Sequence, residues 1–233
     1  MLRRILVLDF DGTITISDTT SVIGQAVYSL KKLSVAWTHY TKMYEECHVP
    51  KPKGLGPDAW DKVCDYERES RACELRSIDE LELQNHFEGV VIRDLLQLVK
   101  QKVELRPGLH DIMKKYDETF VISLNWSKDL IHDLTAIPKA NIFCNDLLSR
   151  DNEVYSGQFT KQILTGCDKY EVLKQICDIS KNGPELKVTY IGDSFGDLPC
   201  VLAENVTGYI IGDQLSHLDL DVPTIQGFDE VEC

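Results

Sequence analysis

Two acidic clusters, one near each end of this 233-residue chain, constrain its fold most. The run Arg4 to Phe10 leads into Asp9-Phe10-Asp11-Gly12-Thr13, and Val188 to Ile191 leads into Gly192-Asp193-Ser194-Phe195-Gly196-Asp197. A short apolar run that ends in an acidic turn reads as a buried strand. In open α/β sheets, ligands bind at the carboxyl ends of the strands. If these two strand ends are neighbours, Asp9, Asp11, Asp193 and Asp197 meet in one place. Crowded carboxylates repel and raise each other's pKa values. A hard divalent cation removes that penalty, and carboxylate, carbonyl and water oxygens suit Mg²⁺. Either cluster alone also reads as a turn or a helix cap; the two together point to a site.

Between the clusters the texture changes once. Ile23, Ala26, Val27 and Leu30 form one helical stripe, and Phe87, Val91, Leu95 and Leu98 repeat the spacing. Val49 to Pro57 breaks the pattern as a loop. Residues 17–104 therefore read as all-helical, in three to five pieces. After Leu105-Arg106-Pro107-Gly108, helices and strands alternate. Helices are expected over 109–115, 128–134 and 169–179, the last with Val172, Leu173, Ile176 and Ile179 on one side. Strands are expected over 120–124, 142–144, 188–191 and 207–211, with a hairpin-like segment over 154–159. This alternation implies an α/β fold, a Rossmann-like parallel sheet covered on both faces. The first strand precedes the helical block, so residues 1–16 and 105–233 form the core and 17–104 an inserted helical domain. Residues 229–233 read as a frayed acidic tail.

Composition narrows the partners. With 38 acidic against 25 basic side chains and a net charge of −13, a general binder of nucleic acid or anionic membrane is excluded, because such partners need a basic footprint. No apolar run approaches the roughly 20 residues of a membrane span. Asp9 and Asp11 cut the first apolar stretch short of a signal peptide. The eight cysteines, Cys233 included, are scattered without a C-x-x-C pair and read as reduced thiols. The expectation is a cytoplasmic enzyme, with the glycosylation-like triplets at Asn125 and Asn205 unused. The six histidines, among them His48, show no metal-ligand spacing. Gly54 to Ala59 mimics a dinucleotide fingerprint but follows no strand.

D-F-D-G-T-I-T, followed by a serine, a lysine and G-D-S-x-x-D, resembles the haloacid dehalogenase (HAD) superfamily, in particular its phosphoserine-phosphatase-like branch with a helical cap. The resemblance implies a Mg²⁺-dependent phosphatase that acts on a small phosphorylated metabolite through an aspartyl-phosphate. Asp9 matches the nucleophile and a metal ligand, and Asp11 the general acid/base, with its main-chain carbonyl on the metal. Gly12 and Thr13 match the phosphate-binding turn after the nucleophile, and Thr13 positions it. Ser123, closing the strand over 120–124, matches the hydroxyl that holds the phosphoryl oxygens. Asn125 would donate to phosphate where others use glycine N–H groups.

Lys169 matches the conserved-motif lysine, because Asp168 and Glu171 resemble a capping box that would place it at a helix start. Lys161 and Lys174 compete for that role. Asp193 matches the direct metal ligand, and Asp197 the carboxylate that holds metal-bound water or the lysine. The helical block would be a lid over the leaving group. Asp18 stands where phosphoserine phosphatases carry a carboxylate for the substrate amine, yet it reads slightly better as a helix N-cap. The tryptophans read as core packing or as a substrate surface. The Ser-Leu-Asn-Trp-Ser continuation and cap length are similar to those of fungal HAD-like proteins, one linked to cold tolerance, and of small-molecule phosphatases near thiamine metabolism. A HAD dehalogenase does without the metal, and the intact acidic residues argue against it. A regulatory or interaction protein on the same fold would show a lost catalytic carboxylate; none is lost.

Overall fold

The computed structural model describes residues 2–47, 49–52, 54–180 and 185–232. His48 and Cys233 therefore lie outside the described residues, as does the side chain of Ile179. Six parallel strands form the main sheet: β1 (Arg3–Leu8), β2 (Glu118–Ile122), β3 (Ile142–Phe143), β6 (Leu186–Gly192), β7 (Val206–Ile211) and β8 (Thr224–Ile225), in the order β3-β2-β1-β6-β7-β8. A separate antiparallel hairpin pairs β4 (Leu147–Ser149) with β5 (Tyr155–Phe159). The helices are α1 (Thr19–Leu30), α2 (Thr38–Cys47), α3 (Ala59–Leu83), α4 (Ile92–Lys100), α5 (Leu109–Met113), α6 (Lys128–Thr135), α7 (Gly166–Ser180) and α8 (Leu198–Val201).

Strand β1 shows why the sheet is central. Side chains alternate between faces along a strand, and here both faces are apolar. Ile5 and Val7 join one core with Val188, Tyr190 and Leu198, while Leu6 and Leu8 join the other with Val121, Ile131 and Ile211. The register Leu8↔Ile191 sets the carboxyl ends of β1 and β6 side by side. That pairing brings together two clusters about 180 residues apart in sequence.

Helices α1 to α4 fall between β1 and β2 in chain order. Their apolar faces form a third core, in which Ile23, Val27, Leu95 and Val99 pack with Trp126 and Leu130 from the end of β2 and α6. The hairpin belongs to this core as well, through Tyr155 and Phe159. Main-chain hydrogen bonds fasten it there: Gly89 N–H to the Tyr155 carbonyl, Tyr155 N–H to Val90 and Ile92 N–H to Glu153, each 2.9 Å. The hairpin is thus later in sequence but packs with the inserted helices.

Two expectations need correction. The C-terminal segment is not a frayed tail: Phe228 and Val231 are buried in the core beside Ile225 and Leu109, while the acidic Asp229, Glu230 and Glu232 face solvent. Acidic composition hid two apolar anchors. Helix α7 also starts three residues before Lys169, so Asp168 is not its N-cap and Glu171 takes no part in capping it. The capping box sits three residues earlier: the Thr165 hydroxyl accepts from Asp168 N–H at 3.4 Å, and the Asp168 carboxylate accepts from Thr165 N–H at 3.1 Å. Lys169 still lies in the first turn.

Candidate active site

Asp9 directly follows β1 and Asp193 directly follows β6, each only 4 to 5% exposed, and Asp197 is fully buried four residues on. Oxygens of these three carboxylates lie within 4.8 Å of one another. The turn that brings Asp9 to Asp193 depends on Gly12. Its φ of +79° favours glycine, and a Cβ there would lie 2.3 Å from an Asp193 oxygen. Thr13 donates its hydroxyl to Asp193 Oδ1 at 3.2 Å, tying the first cluster to the second.

Lys169 is the buried cation of the group. Its Nζ lies 2.7 Å from Asp9 Oδ1 and 2.7 Å from Asp197 Oδ1. Its competitors are engaged elsewhere, Lys161 with Asp79 and Glu82 and Lys174 with Glu171. Burial alone would discharge Lys169, but Asp197 and Asp9 hold its ammonium above the ordinary lysine range. For Asp197, burial also disfavours charge, yet Lys169, Ser194 and Tyr190 hold the carboxyl below its usual range. Five donors reach it: Lys169 Nζ and the Tyr190 hydroxyl on Oδ1, and Asp193 N–H, Ser194 N–H and the Ser194 hydroxyl on Oδ2. A carboxylate offers about four lone-pair sites, so Asp197 is saturated and acts as the anchor of Lys169.

The other two carboxylates lack such compensation. Burial, with repulsion from Asp197 and Asp193, raises Asp9 well above the ordinary value despite Lys169. Burial and Asp197 push Asp193 up to about 7. Three carboxylates against one ammonium leave two negative charges in excess, the charge of one divalent cation. An all-oxygen set of this kind fits Mg²⁺.

The carboxylate of Asp11 does not join this group, contrary to the expected meeting of four. Thr19 N–H reaches Asp11 Oδ1 at 2.6 Å, with the Thr19 hydroxyl on the same oxygen, and Asn125 Nδ2 donates to Oδ2 at 2.9 Å. Burial pushes Asp11 to about 6, with Asn125 as the main opposing influence. Asn125 is correspondingly reassigned. Its amide nitrogen donates to Asp11 and, at 2.7 Å, to Thr19 Oγ1, while its oxygen accepts from Ser127 N–H at 3.0 Å. Both donor hydrogens are used inside the chain, which leaves none for a phosphate.

Ser123 lies one residue beyond β2, buried, with its hydroxyl accepting from Asn125 N–H at 3.1 Å. It lines a cavity of about 350 Å³ together with Asp9, Asp11, Gly12, Lys169 and Asp193. Asp18 borders the same cavity but is the N-cap of α1, accepting from Thr20 N–H at 2.9 Å and Ser21 N–H at 3.3 Å. Of four supporting residues, Tyr190, Gln214 and Arg106 carried no sequence signal of their own, and Ser194 had one only as the serine of G-D-S-x-x-D. Tyr190 and Ser194 hold Asp197, Gln214 Nε2 donates to Asp193 Oδ2 at 2.9 Å, and Arg106 donates to the Gly12 carbonyl at 2.7 Å and to the Thr13 carbonyl at 3.0 Å. Only adjacency to the acidic cluster could have flagged Tyr190.

No family model matches the chain. Among solved structures, a phosphoserine phosphatase bearing an analogue of its phospho-aspartyl intermediate superposes with a TM-score of 0.60 at 15% identity, over 97% of this chain and 94% of the other. A HAD family hydrolase from Salmonella enterica superposes with a TM-score of 0.61 at 17% identity, over 95% and 67%. This chain has the HAD fold. Among curated proteins, the HAD-fold chain is 28% identical to Cold tolerance protein 1 of Saccharomyces cerevisiae, over 90% of this chain and 79% of the relative. In HAD terms, Asp9 occupies the strand end after β1 and the G-D-S-x-x-D segment the strand end after β6. No helix among the described residues is long and apolar enough to cross a membrane.

Proposed function

We propose that the protein is a Mg²⁺-dependent phosphatase that hydrolyses a small phosphomonoester through an aspartyl-phosphate on Asp9. The observation that carries this reading is the charge arrangement. Two buried, undercompensated carboxylates face a cavity beside a lysine that a third carboxylate holds in place. Asp9 and Asp193 would hold the cation, with the Asp11 carbonyl as the family resemblance implies. Bound there, Mg²⁺ would screen the charge on nucleophile and phosphoryl group, which otherwise repel.

Within the chain, Asp9 attacks phosphorus and the ester P–O bond breaks. Lys169 stays at Asp9 Oδ1 and neutralises charge during that transfer. Asp11, with its carboxyl pushed up to about 6, would give a proton to the leaving oxygen and then take one from the water that cleaves the acyl-phosphate. Ser123 and the N–H groups after Asp9 hold the phosphoryl oxygens. We propose that residues 17–104 form a cap over residues 1–16 and 105–233, with the β4–β5 hairpin completing its packed face. A leaving group then sits under α1 to α3, away from bulk water.

The test is hydrolysis of p-nitrophenyl phosphate. Activity is expected with Mg²⁺, lost with EDTA and restored by Mg²⁺. Asp9→Asn is expected to lower it by about four orders of magnitude while the circular dichroism spectrum stays unchanged. Full activity in that variant would sink the mechanism.

A further inference from the structure

A second cavity, of about 380 Å³, adjoins the one at Asp9 and shares Asp18, Thr20 and Leu124 with it. That is the size range of small-ligand sites. Its walls come from the inserted helices and from the segment after β2. Trp37 and Tyr40 stack at 4.6 Å between ring centroids, and Trp126 stands edge-on to Trp37 at 6.3 Å. Three carboxylates border it, Asp18, Glu45 and Glu74, and its described lining residues include no lysine, arginine or histidine.

The aromatic wall is built at a cost elsewhere. Gly24 lies inside α1, where glycine is a poor helix former. A Cβ at that position would meet the Trp37 indole at 2.5 Å, so the glycine is what lets the ring lie against the helix. Trp37 is 5% exposed, and its indole N–H meets no acceptor among the described residues. Glu74 takes a hydrogen bond from the Tyr44 hydroxyl. Burial nevertheless pushes its carboxyl up to about 7, opposed by Tyr44 and reinforced by Glu67.

Faces of tryptophan and tyrosine attract organic cations, and carboxylates add to that attraction. An amino-acid leaving group would instead bring its own carboxylate against three others, with no basic side chain to receive it. We propose that this cavity receives a carbon-substituted ammonium group, so that the substrate is the phosphomonoester of a cationic alcohol without a carboxylate. The assignment of substrate class rests on the phosphatase reading of the Asp9 site.

The test uses the full chain with Mg²⁺ and a matched pair of esters, phosphocholine and 3,3-dimethylbutyl phosphate, which differ in nitrogen against carbon, with phosphoserine as the third. Phosphocholine is expected to exceed its neutral isostere in kcat/KM by roughly tenfold or more, and phosphoserine to be the poorest. Glu74→Gln, which keeps an acceptor for Tyr44, is expected to bring the ratio of kcat/KM for phosphocholine to that for the neutral ester close to one. Equal values for the matched pair, or a preference for phosphoserine, would overturn the substrate class. Binding of choline against 3,3-dimethyl-1-butanol, followed by tryptophan fluorescence, separates the two readings. Choline binding without turnover of any ester overturns the phosphatase reading alone. Turnover without selective choline binding overturns the cavity assignment alone.

Discussion

The pocket at Asp9 and the cavity beside it are both acidic, yet they handle buried charge in opposite ways. In the pocket, Lys169 and a saturating shell of donors hold Asp197 ionised below its ordinary range. In the cavity, Glu74 takes a tyrosine hydroxyl among the described residues, and burial carries it to about 7. The difference shows that burial does not decide the charge of a carboxylate; the partners buried with it do. Core strands and α7 supply those partners in the pocket. The inserted helices supply aromatic faces instead.

Four experiments would break or sharpen that contrast. The largest effect is expected from Lys169→Met, which strands Asp9 and Asp197 without their ammonium. Breaking a buried pair costs about 3 kcal/mol or more, and loss of a charge-stabilising group lowers kcat by about 10² to 10³-fold. Urea denaturation and p-nitrophenyl phosphate turnover read the two effects. A stability equal to wild type would mean that the pocket does not depend on its lysine.

Asn125→Ala comes next. It frees Asp11 without touching the phosphate, so kcat is expected to fall by about 10²-fold at a nearly constant KM. A raised KM with kcat intact would return Asn125 to phosphate binding.

Glu74→Gln tests the cavity through stability. The Glu74 carboxyl titrates near 4.5 in the unfolded chain and near 7 in the folded one. Between those values the native state holds a proton that the unfolded state has released, so the contribution of Glu74 to stability falls as pH rises from about 4.5 to about 7. Relative to wild type, the variant is therefore expected to gain stability across that window, read from urea midpoints. A constant difference across it would show that Glu74 is compensated after all.

The smallest effect belongs to Asp18. Asp18→Ala is expected to cost about 1 kcal/mol as a lost N-cap, and Asp18→Asn almost nothing, because asparagine caps equally well. A large rise in KM for Asp18→Asn would instead make its charge part of substrate recognition.

The sheet and the two acidic clusters were legible because their signals are local. An apolar run with an acidic turn after it spans about ten residues and needs no distant partner to be read. Helix α1 was legible for the same reason, through its stripe at helical spacing; the second stripe ran ahead of its helix, because Phe87 and Val91 precede α4. Local signals misled where composition hid a distant contact. Asp229 and Glu230 made the end of the chain look solvated, while Phe228 and Val231 are anchored in the core. The hairpin offered no sign that it would fasten to residues 89–92. Asp168 did cap α7, but from inside its first turn rather than from the position before it.

By itself, then, the sequence determined that strands ending in acid would lie in a covered parallel sheet, and that Asp9 and Asp193 would stand at strand ends. Side-chain alternation and turn chemistry act over a few residues, so both could be read from the chain alone. Tertiary structure decided the partners. It selected Lys169 over Lys161 and Lys174 from 160 residues away. It turned the Asp11 carboxylate towards Thr19 and Asn125, and it set Trp37 against Gly24 beside Glu74. A buried charge takes its state from whatever packs beside it, and that neighbour is fixed only once the chain has folded.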